Sequence, residues 1–369
     1  MKPTLGIIGG SGLYELDGLS EIKSNSVKTP FGKPSDKILS AKYNNIIIYF
    51  LPRHGKNHNI PPHKINYRAN IYALKKLGVT DIISISAVGS LKNEHKPGQF
   101  ILVDQFIDRT VSRINTFFDN SCVAHVSLAN PVSSQLIDLI LKSKLKDIKV
   151  KKGGTYVAIE GPQFSTYAES MLYKSWKCDV IGMTNMPEAR LVREAEMGYA
   201  SIAMVTDYDC WHKEHENVTV QQIISTMQKN TSGAKLLLKS IFNKLNKPVK
   251  WNWQEDAYNC LSKSIITNLK KVSKEDKKKL NLLFALIQRT VFSTLDFVSD
   301  FVVLVNVIFF NPALFFCALF IFIMNIGWFY RTLYNKGQPM HWYILAPNPS
   351  LFFDEEDDLG KLVWDTTMM

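Results

Sequence analysis

Short apolar runs rich in Ile, Val and Leu recur through the first two-thirds of the chain, at residues 5–8, 46–51, 81–86, 100–103, 155–159, 179–181 and 199–205. They are too short for helices and do not alternate, as expected of strands buried on both faces. Between several of them the apolar positions take a helical period, at 66–77, 133–145, 168–176 and 187–196. The alternation predicts an α/β fold, a single domain with a central mixed sheet flanked by helices. Residues 218–245 read as one or two amphipathic helices, and the Lys-rich stretch 247–283 as a helix-forming segment that closes the domain.

A different pattern follows. From Phe301 to Tyr330 there is no Asp, Glu, Lys or Arg, longer than the ~18 apolar residues taken as a membrane-span signal. Asn311 and Pro312 interrupt the run, so either one span from about 312 to 330 or a helical hairpin fits. Basic residues flank both sides, Lys277 to Lys279 before and Arg331 and Lys336 after, which favours the hairpin. The expected organisation is a globular α/β domain over 1–283, an apolar helical extension over 284–334 and a polar, acidic tail over 335–369. That layout places the globular domain in the cytoplasm, anchored to a membrane or a membrane protein through 284–334. A soluble cytoplasmic protein with a buried apolar appendage is the alternative.

The net charge of +11 changes little in this picture, because the Lys residues are spread along the chain and no Arg-rich or aromatic-interleaved basic stripe marks a nucleic-acid surface. An anionic small substrate explains the sign as well. Five cysteines without a Cys-x-x-Cys pair imply a reduced compartment and no structural zinc. The N-terminal apolar run is too short for a signal peptide.

The chemistry concentrates where apolar strands run out, the edge at which open α/β sheets bind ligands. Gly9-Gly10-Ser11-Gly12 follows the first strand and suits an anion nest; Glu15 stands where a dinucleotide fingerprint needs its third glycine. Arg53-His54 ends the second, a guanidinium beside an imidazole suited to a tetrahedral oxyanion. Ser84 to Ser90 ends a third with small hydroxyls and a glycine, and Met183-Thr184-Asn185-Met186-Pro187-Glu188 ends a fourth. Asp207-Tyr208-Asp209-Cys210-Trp211 closes the last, where aromatic shielding raises a carboxyl pKa toward that of a general acid.

Taken in order, Ile8 to Gly12, Thr29 to Ser35, Arg53-His54-Gly55, Ser86 to Ser90, Asp104 to Thr110, Glu160 to Thr166 and Thr206 to Trp211 resemble the 5′-methylthioadenosine phosphorylases of the trimeric purine nucleoside phosphorylase superfamily. The resemblance covers roughly residues 4 to 283 and leaves the apolar extension outside. It implies phosphorolysis of 5′-methylthioadenosine to adenine and 5-methylthioribose 1-phosphate, with inorganic phosphate as co-substrate, no cofactor and no metal. By that similarity Ser11, Arg53, His54, Ser86, Ala87 and Thr184 hold phosphate, and Met183 lies against the ribose. Asp207 donates a proton or hydrogen bond to purine N7, while Asp209 accepts from the exocyclic amine. Phe164 stacks on the base, with Ser165 and Tyr208 nearby. Val220 lines the pocket of the alkylthio group, and His125 reaches a neighbouring subunit's site in a homotrimer. Ser11 and Ser86 stand where animal relatives carry Thr, which keeps the hydroxyl.

Two other readings remain open on the sequence. One is a purine nucleoside phosphorylase acting on inosine, guanosine or adenosine. The other is an enzyme-derived structural subunit of a membrane complex, in which the extension matters and catalysis is residual.

Overall fold

The computed structural model describes residues 2–212 and 220–284. The expected membrane span or hairpin and the acidic tail therefore lie outside the described residues. Residues Met1–Leu283 form one compact unit.

Its centre is an 11-stranded mixed sheet. The apolar runs become β1 (Leu5–Gly9), β4 (Ile46–Pro52), β5 (Asp81–Ser90), β6 (Phe100–Val103), β9 (Thr155–Ile159), β10 (Val180–Gly182) and β11 (Gly198–Asp207). Strands β4, β1, β5 and β11 pair in parallel in that order, so their carboxyl ends emerge on one edge. The long β5 is the hinge of the topology. Its first half carries β1, whereas its end, at Gly89 and Ser90, pairs antiparallel with β10. This brings the exit of β10 back beside the exits of the parallel strands.

Four further strands escaped the hydrophobic pattern: β2 (Ser20–Asn25), β3 (Ile38–Tyr43), β7 (Gln105–Arg109) and β8 (Val150–Lys152). Strands β2 and β7 are largely exposed or half-buried and polar, so backbone pairing rather than an apolar face holds them.

Helices α1 (Tyr67–Lys76), α2 (Ser134–Lys142), α3 (Tyr167–Ser175) and α4 (Asn185–Glu194) fall where the helical period placed them. Side-chain caps start three of them, Asn66 on Ala69 N, Ser133 on Leu136 N and a full capping box between Thr166 and Glu169. Residues 220–246 form one helix, α5 (Val220–Asn246). It buries Leu237, Leu238, Ile241, Phe242 and Leu245 against the sheet, each contributing about 1.5–3 kcal/mol of burial free energy. The stretch 247–283 departs from the expected helix. It is mostly irregular, with short turns at Asp256–Tyr258, Leu261–Ser264 and Leu269–Lys271 and a helix only from residue 274. Here Trp251, Ala257 and Tyr258 pack into the core one by one, a pattern with no helical face.

No helix among the described residues is long and apolar enough to cross a membrane.

Candidate active site

The end of β11 is shaped by a break in its pairing. The register with β5 shifts between Val205 and Asp207, so Thr206 is an extra residue and Asp207 stands opposite Gly89. The carbonyl of Val205 at this irregularity accepts from Gly98 N and from the buried Asn230 side chain of α5, each at 2.9 Å. The bulge re-aims the chain so that Asp207 and Asp209 both lie over the end of β5. Gly89 makes room for them: a Cβ there would sit 3.1 Å from Asp207 Oδ1, 3.2 Å from Asp209 Cβ and 3.0 Å from Ile181.

The two acids are held differently. Asp207 accepts from the Thr206 hydroxyl at 2.7 Å and from Asp209 N at 2.9 Å. Asp209, 8% exposed and with φ of 42°, accepts from the hydroxyl of Ser170 on α3, which is fully buried. Burial raises the pKa of both carboxyls above the ordinary range against these donors, and at Asp209 the charge of Asp207 adds to the rise. The pair can hold a proton at higher pH than free carboxyls do.

Tyr208 turns away between them, its hydroxyl 3.4 Å from Asn93 O and its ring stacked on His212. Trp211 anchors the far end by donating from Nε1 to Ser90 O at 2.7 Å. Cys210 donates from its thiol to Ser165 O, which ties the 161–166 segment to the two acids. Ser165 Oγ is buried without a hydrogen-bond partner among the described residues, and Phe164, next to it, is 57% exposed.

A second cluster lies beneath the exits of β1, β4, β5 and β10. Arg53 follows β4 and its guanidinium is buried. Nε donates to Glu188 Oε2 at 2.9 Å, and Nη2 donates to Ser84 Oγ at 2.6 Å, Glu188 Oε1 at 3.3 Å and Ile8 O at 3.4 Å. Nη1 reaches Ile85 O at 3.2 Å, and its second N–H has no acceptor among the described residues. Tyr199 donates to Glu188 at 2.9 Å and accepts from Asn185 Nδ2 at 2.6 Å. Asn185 Oδ1 in turn accepts from Ser86 and Ser201, both at 3.2 Å. A continuous polar network thus runs under Ser86 and Thr184, both buried. Thr184 precedes α4, and its N–H reaches Tyr156 OH at 3.4 Å. Ala87 is paired with Met204 on β5.

Burial sets the charge of this cluster. Burial alone would lower the Arg53 pKa, but Glu188 more than reverses that, so the guanidinium is charged and already neutralised by a carboxylate. His54 donates from Nδ1 to Ile60 O at 2.8 Å; burial first and then the Arg53 charge push its pKa down to about 4. It is neutral at pH 7. The pair therefore offers an anion directed N–H groups more than net positive charge.

Met183 leaves β10 against Gly161, where a Cβ would lie 2.5 Å from Met183 Sδ. Gly161 has φ of 66°, a backbone conformation that favours glycine. Ser11 opens the turn Ser11–Tyr14, one residue beyond the end of β1, and Val220 begins α5. His125 is exposed at another place on the surface, with its N–H on Ser264 O at 2.8 Å. The structure thus gathers Arg53 and Ser86 in one network through Ser84 and Asn185, with Thr184 adjoining Asn185 in the chain, and Asp207, Asp209 and Ser165 in a neighbouring one. It does not bring His125 to either. Asn185 and Glu188 fall in the fourth strand-end motif of the sequence, which gave them no individual role; Tyr199 and Ser170 were not legible as site residues. No group of three or more His, Cys, Asp or Glu placed to hold a metal ion occurs among the described residues.

This sheet, with its polar strand ends, is a phosphorylase fold. Residues 4–243 match the family described as the Phosphorylase superfamily, and the chain belongs to it. Within that superfamily its relatives include S-methyl-5′-thioadenosine phosphorylases. The S-methyl-5′-thioadenosine phosphorylase of Cereibacter sphaeroides is 54% identical over 239 residues, 64% of this chain and 82% of the relative. That of Geobacter sulfurreducens is 46% identical over 285 residues, 77% of this chain and 98% of the relative. The crystal structure of a methylthioadenosine phosphorylase from an Antarctic soil metagenomic library matches with a TM-score of 0.71 at 41% identity, covering 76% of this chain and 99% of its own. Methylthioadenosine phosphorylase from Schistosoma mansoni, in complex with adenine, matches with a TM-score of 0.64 at 35% identity, covering 69% and 95%.

Proposed function

We propose that the protein catalyses phosphorolysis of 5′-methylthioadenosine, releasing adenine and 5-methylthioribose 1-phosphate, in methionine and purine salvage. The observation that carries this reading is the adjacency of two clusters, carboxyls of raised pKa on the bulged end of β11 and hydroxyl and guanidinium donors beneath the exits of β4, β5 and β10. Breaking an N-glycosidic bond builds positive charge on the sugar and negative charge on the purine, so an anion is needed below the ring and an acid at the base.

In this reading inorganic phosphate is the co-substrate and neither metal nor cofactor takes part. Ser11, Arg53, His54, Ser86, Ala87 and Thr184 hold the phosphate, which attacks C1′ of a ribose lying on Met183. Asp207 supplies a proton or hydrogen bond to N7 as the base departs. Asp209 accepts from the 6-amino group through the oxygen that Ser170 leaves open, Phe164 stacks on the purine beside Ser165 and Tyr208, and Val220 lines the alkylthio pocket. His125, remote from its own chain's clusters, serves the site of a neighbouring subunit in a homotrimer. The catalytic unit works in the cytoplasm, and the charge-free run from Phe301 to Tyr330 attaches it to a membrane or a membrane protein.

Competing phosphorolysis of methylthioadenosine and inosine by one preparation tests the assignment. Methylthioadenosine is consumed at least about a hundredfold faster, since a site built to bond an amino group leaves a polar group unpaired with an oxo base. Faster consumption of inosine would remove the role given to Asp209.

A further inference from the structure

The clusters above account for strand ends and acids, but not for a buried cation between them. Arg113 lies in the loop after β7, its side chain 2% exposed. Its guanidinium collects oxygen atoms from three separate stretches of chain. Nη1 donates to Met183 O at 2.6 Å, Met186 O at 2.8 Å and Tyr67 OH at 2.9 Å. Nη2 donates to Glu160 O at 2.6 Å and Ile159 O at 3.2 Å, and Nε reaches Glu160 Oε1 at 3.4 Å. Glu160 closes the arrangement by accepting from Val111 N at 2.6 Å and Ser112 Oγ at 2.9 Å. The loop carrying Arg113 is thus buckled to the same carboxylate that neutralises it.

These acceptors are not scattered. Met183 O and Met186 O flank Thr184 and Asn185, the residues that join β10 to the polar network under Ser86. Ile159 O and Glu160 O stand at the root of the segment that leads through Gly161 to Phe164 and Ser165. The two segments touch at Gly161 and Met183, where a Cβ on residue 161 would meet the Met183 side chain. One planar group with five N–H donors holds both at once; a lysine ammonium, with three donors on a single nitrogen, cannot span them.

We propose that Arg113 is a positioning residue for phosphorolysis, fixing the Met183–Thr184 turn against the Gly161–Ser165 segment so that ribose and phosphate meet in register. The proposal rests on the phosphorolytic reading above. It makes Arg113 act through Met183 and Thr184, without touching substrate. Misplacing reacting groups by about 1 Å costs up to ~10²-fold in rate, so the effect is large although the residue is remote from the acids.

Arg113→Lys and Arg113→Ala are compared with the wild-type chain for unfolding temperature, KM of methylthioadenosine, KM of phosphate and inhibition by adenine. In folded Arg113→Lys both KM values rise about tenfold or more and kcat falls, as expected for lost positioning. Adenine inhibition weakens as well, because Phe164 and Ser165 lie on the held segment, but by less than the rise in the two KM values, since Asp207 and Asp209 stay in place. Added guanidinium, but not urea, restores part of the activity of Arg113→Ala. Wild-type KM values in Arg113→Lys, or a loss that only follows the folded fraction with KM values unchanged, overturn the proposal. If neither variant folds, Glu160→Gln is read for the same KM pattern, and unchanged KM values there overturn it. A wild-type chain with no phosphorolytic activity removes the functional reading itself, an outcome distinct from active wild type with an unaffected variant.

Discussion

Replacing Glu188 by glutamine isolates the electrostatics beneath the proposed phosphate site with almost no change in shape. Glu188 and Arg53 have side chains only 2% and 3% exposed, joined at 2.9 and 3.3 Å. Glutamine keeps one oxygen for the Tyr199 hydroxyl, but its amide N–H₂ faces Arg53 Nε, donor against donor. The guanidinium stays charged and loses its counter-ion. Breaking a buried pair from one side costs about 3–5 kcal/mol. For a domain of this size, at about 2.1 cal/mol/K of unfolding entropy per residue, each kcal/mol lowers Tm by roughly 1.7 °C, so the variant should melt roughly 5–9 °C below wild type. Phosphate then becomes the missing counter-ion. If it binds Glu188→Gln about tenfold more tightly, saturating phosphate returns ~1.4 kcal/mol more stability to the variant than to wild type. Thermal unfolding followed by fluorescence, with phosphate titrated against chloride at constant ionic strength, reads both quantities. A variant that melts with wild type, or one that phosphate stabilises no more than wild type, would refute the reasoning that Arg53 is neutralised in the free protein and faces the anion.

Other predictions concern the acids and the fold. Asp207→Asn lowers kcat of methylthioadenosine phosphorolysis by about 10²–10⁴ as general-acid assistance is lost, measured by adenine release; an unchanged kcat rejects Asp207 as the donor. Ser170→Ala, which strips Asp209 of its buried donor, raises KM for methylthioadenosine by about five- to tenfold, in line with ~1 kcal/mol for a lost hydrogen bond, and leaves inosine turnover where it was; equal effects on both substrates contradict the assignment. At the opposite end of β5, burial lifts the pKa of Asp81 to about 7 although Tyr258 OH donates to it at 2.6 Å and Thr80 at 2.7 Å. Glu194 is raised likewise to about 7. Between about pH 4 and pH 7 the unfolded chain has ionised these carboxyls while the native chain retains their protons, so stability falls as pH rises through that window. Asp81→Asn should flatten the decline of Tm between pH 5 and pH 8; a slope parallel to wild type counts against a buried neutral Asp81.

How far the sequence led depends on what each feature owes to local pattern. The strands β1, β4, β5 and β11 were visible because sheet strands covered on both faces must be apolar throughout, and their ends were visible because polar residues follow at once. Strands β2 and β7 gave no such signal: Ser20–Asn25 and Gln105–Arg109 present polar or exposed side chains, and only backbone pairing makes them strands. The short turns in 247–273 were hidden for the opposite reason, since their buried residues arrive singly and without period. Asp207 and Asp209 were legible as acids at a strand end, but the bulge at Thr206 that aims them was not. Arg113 and Glu188 are separated by long stretches of chain from most of the groups they bind, and nothing near either residue announces its partners. Charge showed the same limit. Arg53-His54 looks doubly basic in the sequence, and only burial beside Glu188 and Ile60 makes one residue a neutralised cation and the other a neutral imidazole.

The central claim is that this chain breaks a glycosidic bond with phosphate, and ³¹P NMR of the reaction tests it most directly. Methylthioadenosine and inorganic phosphate incubated with the purified full-length chain should give a sugar 1-phosphate resonance that grows in step with free adenine, with no adenine released when phosphate is omitted. Adenine appearing without phosphate, or no sugar phosphate while Asp207 and Arg53 are intact, would contradict the account.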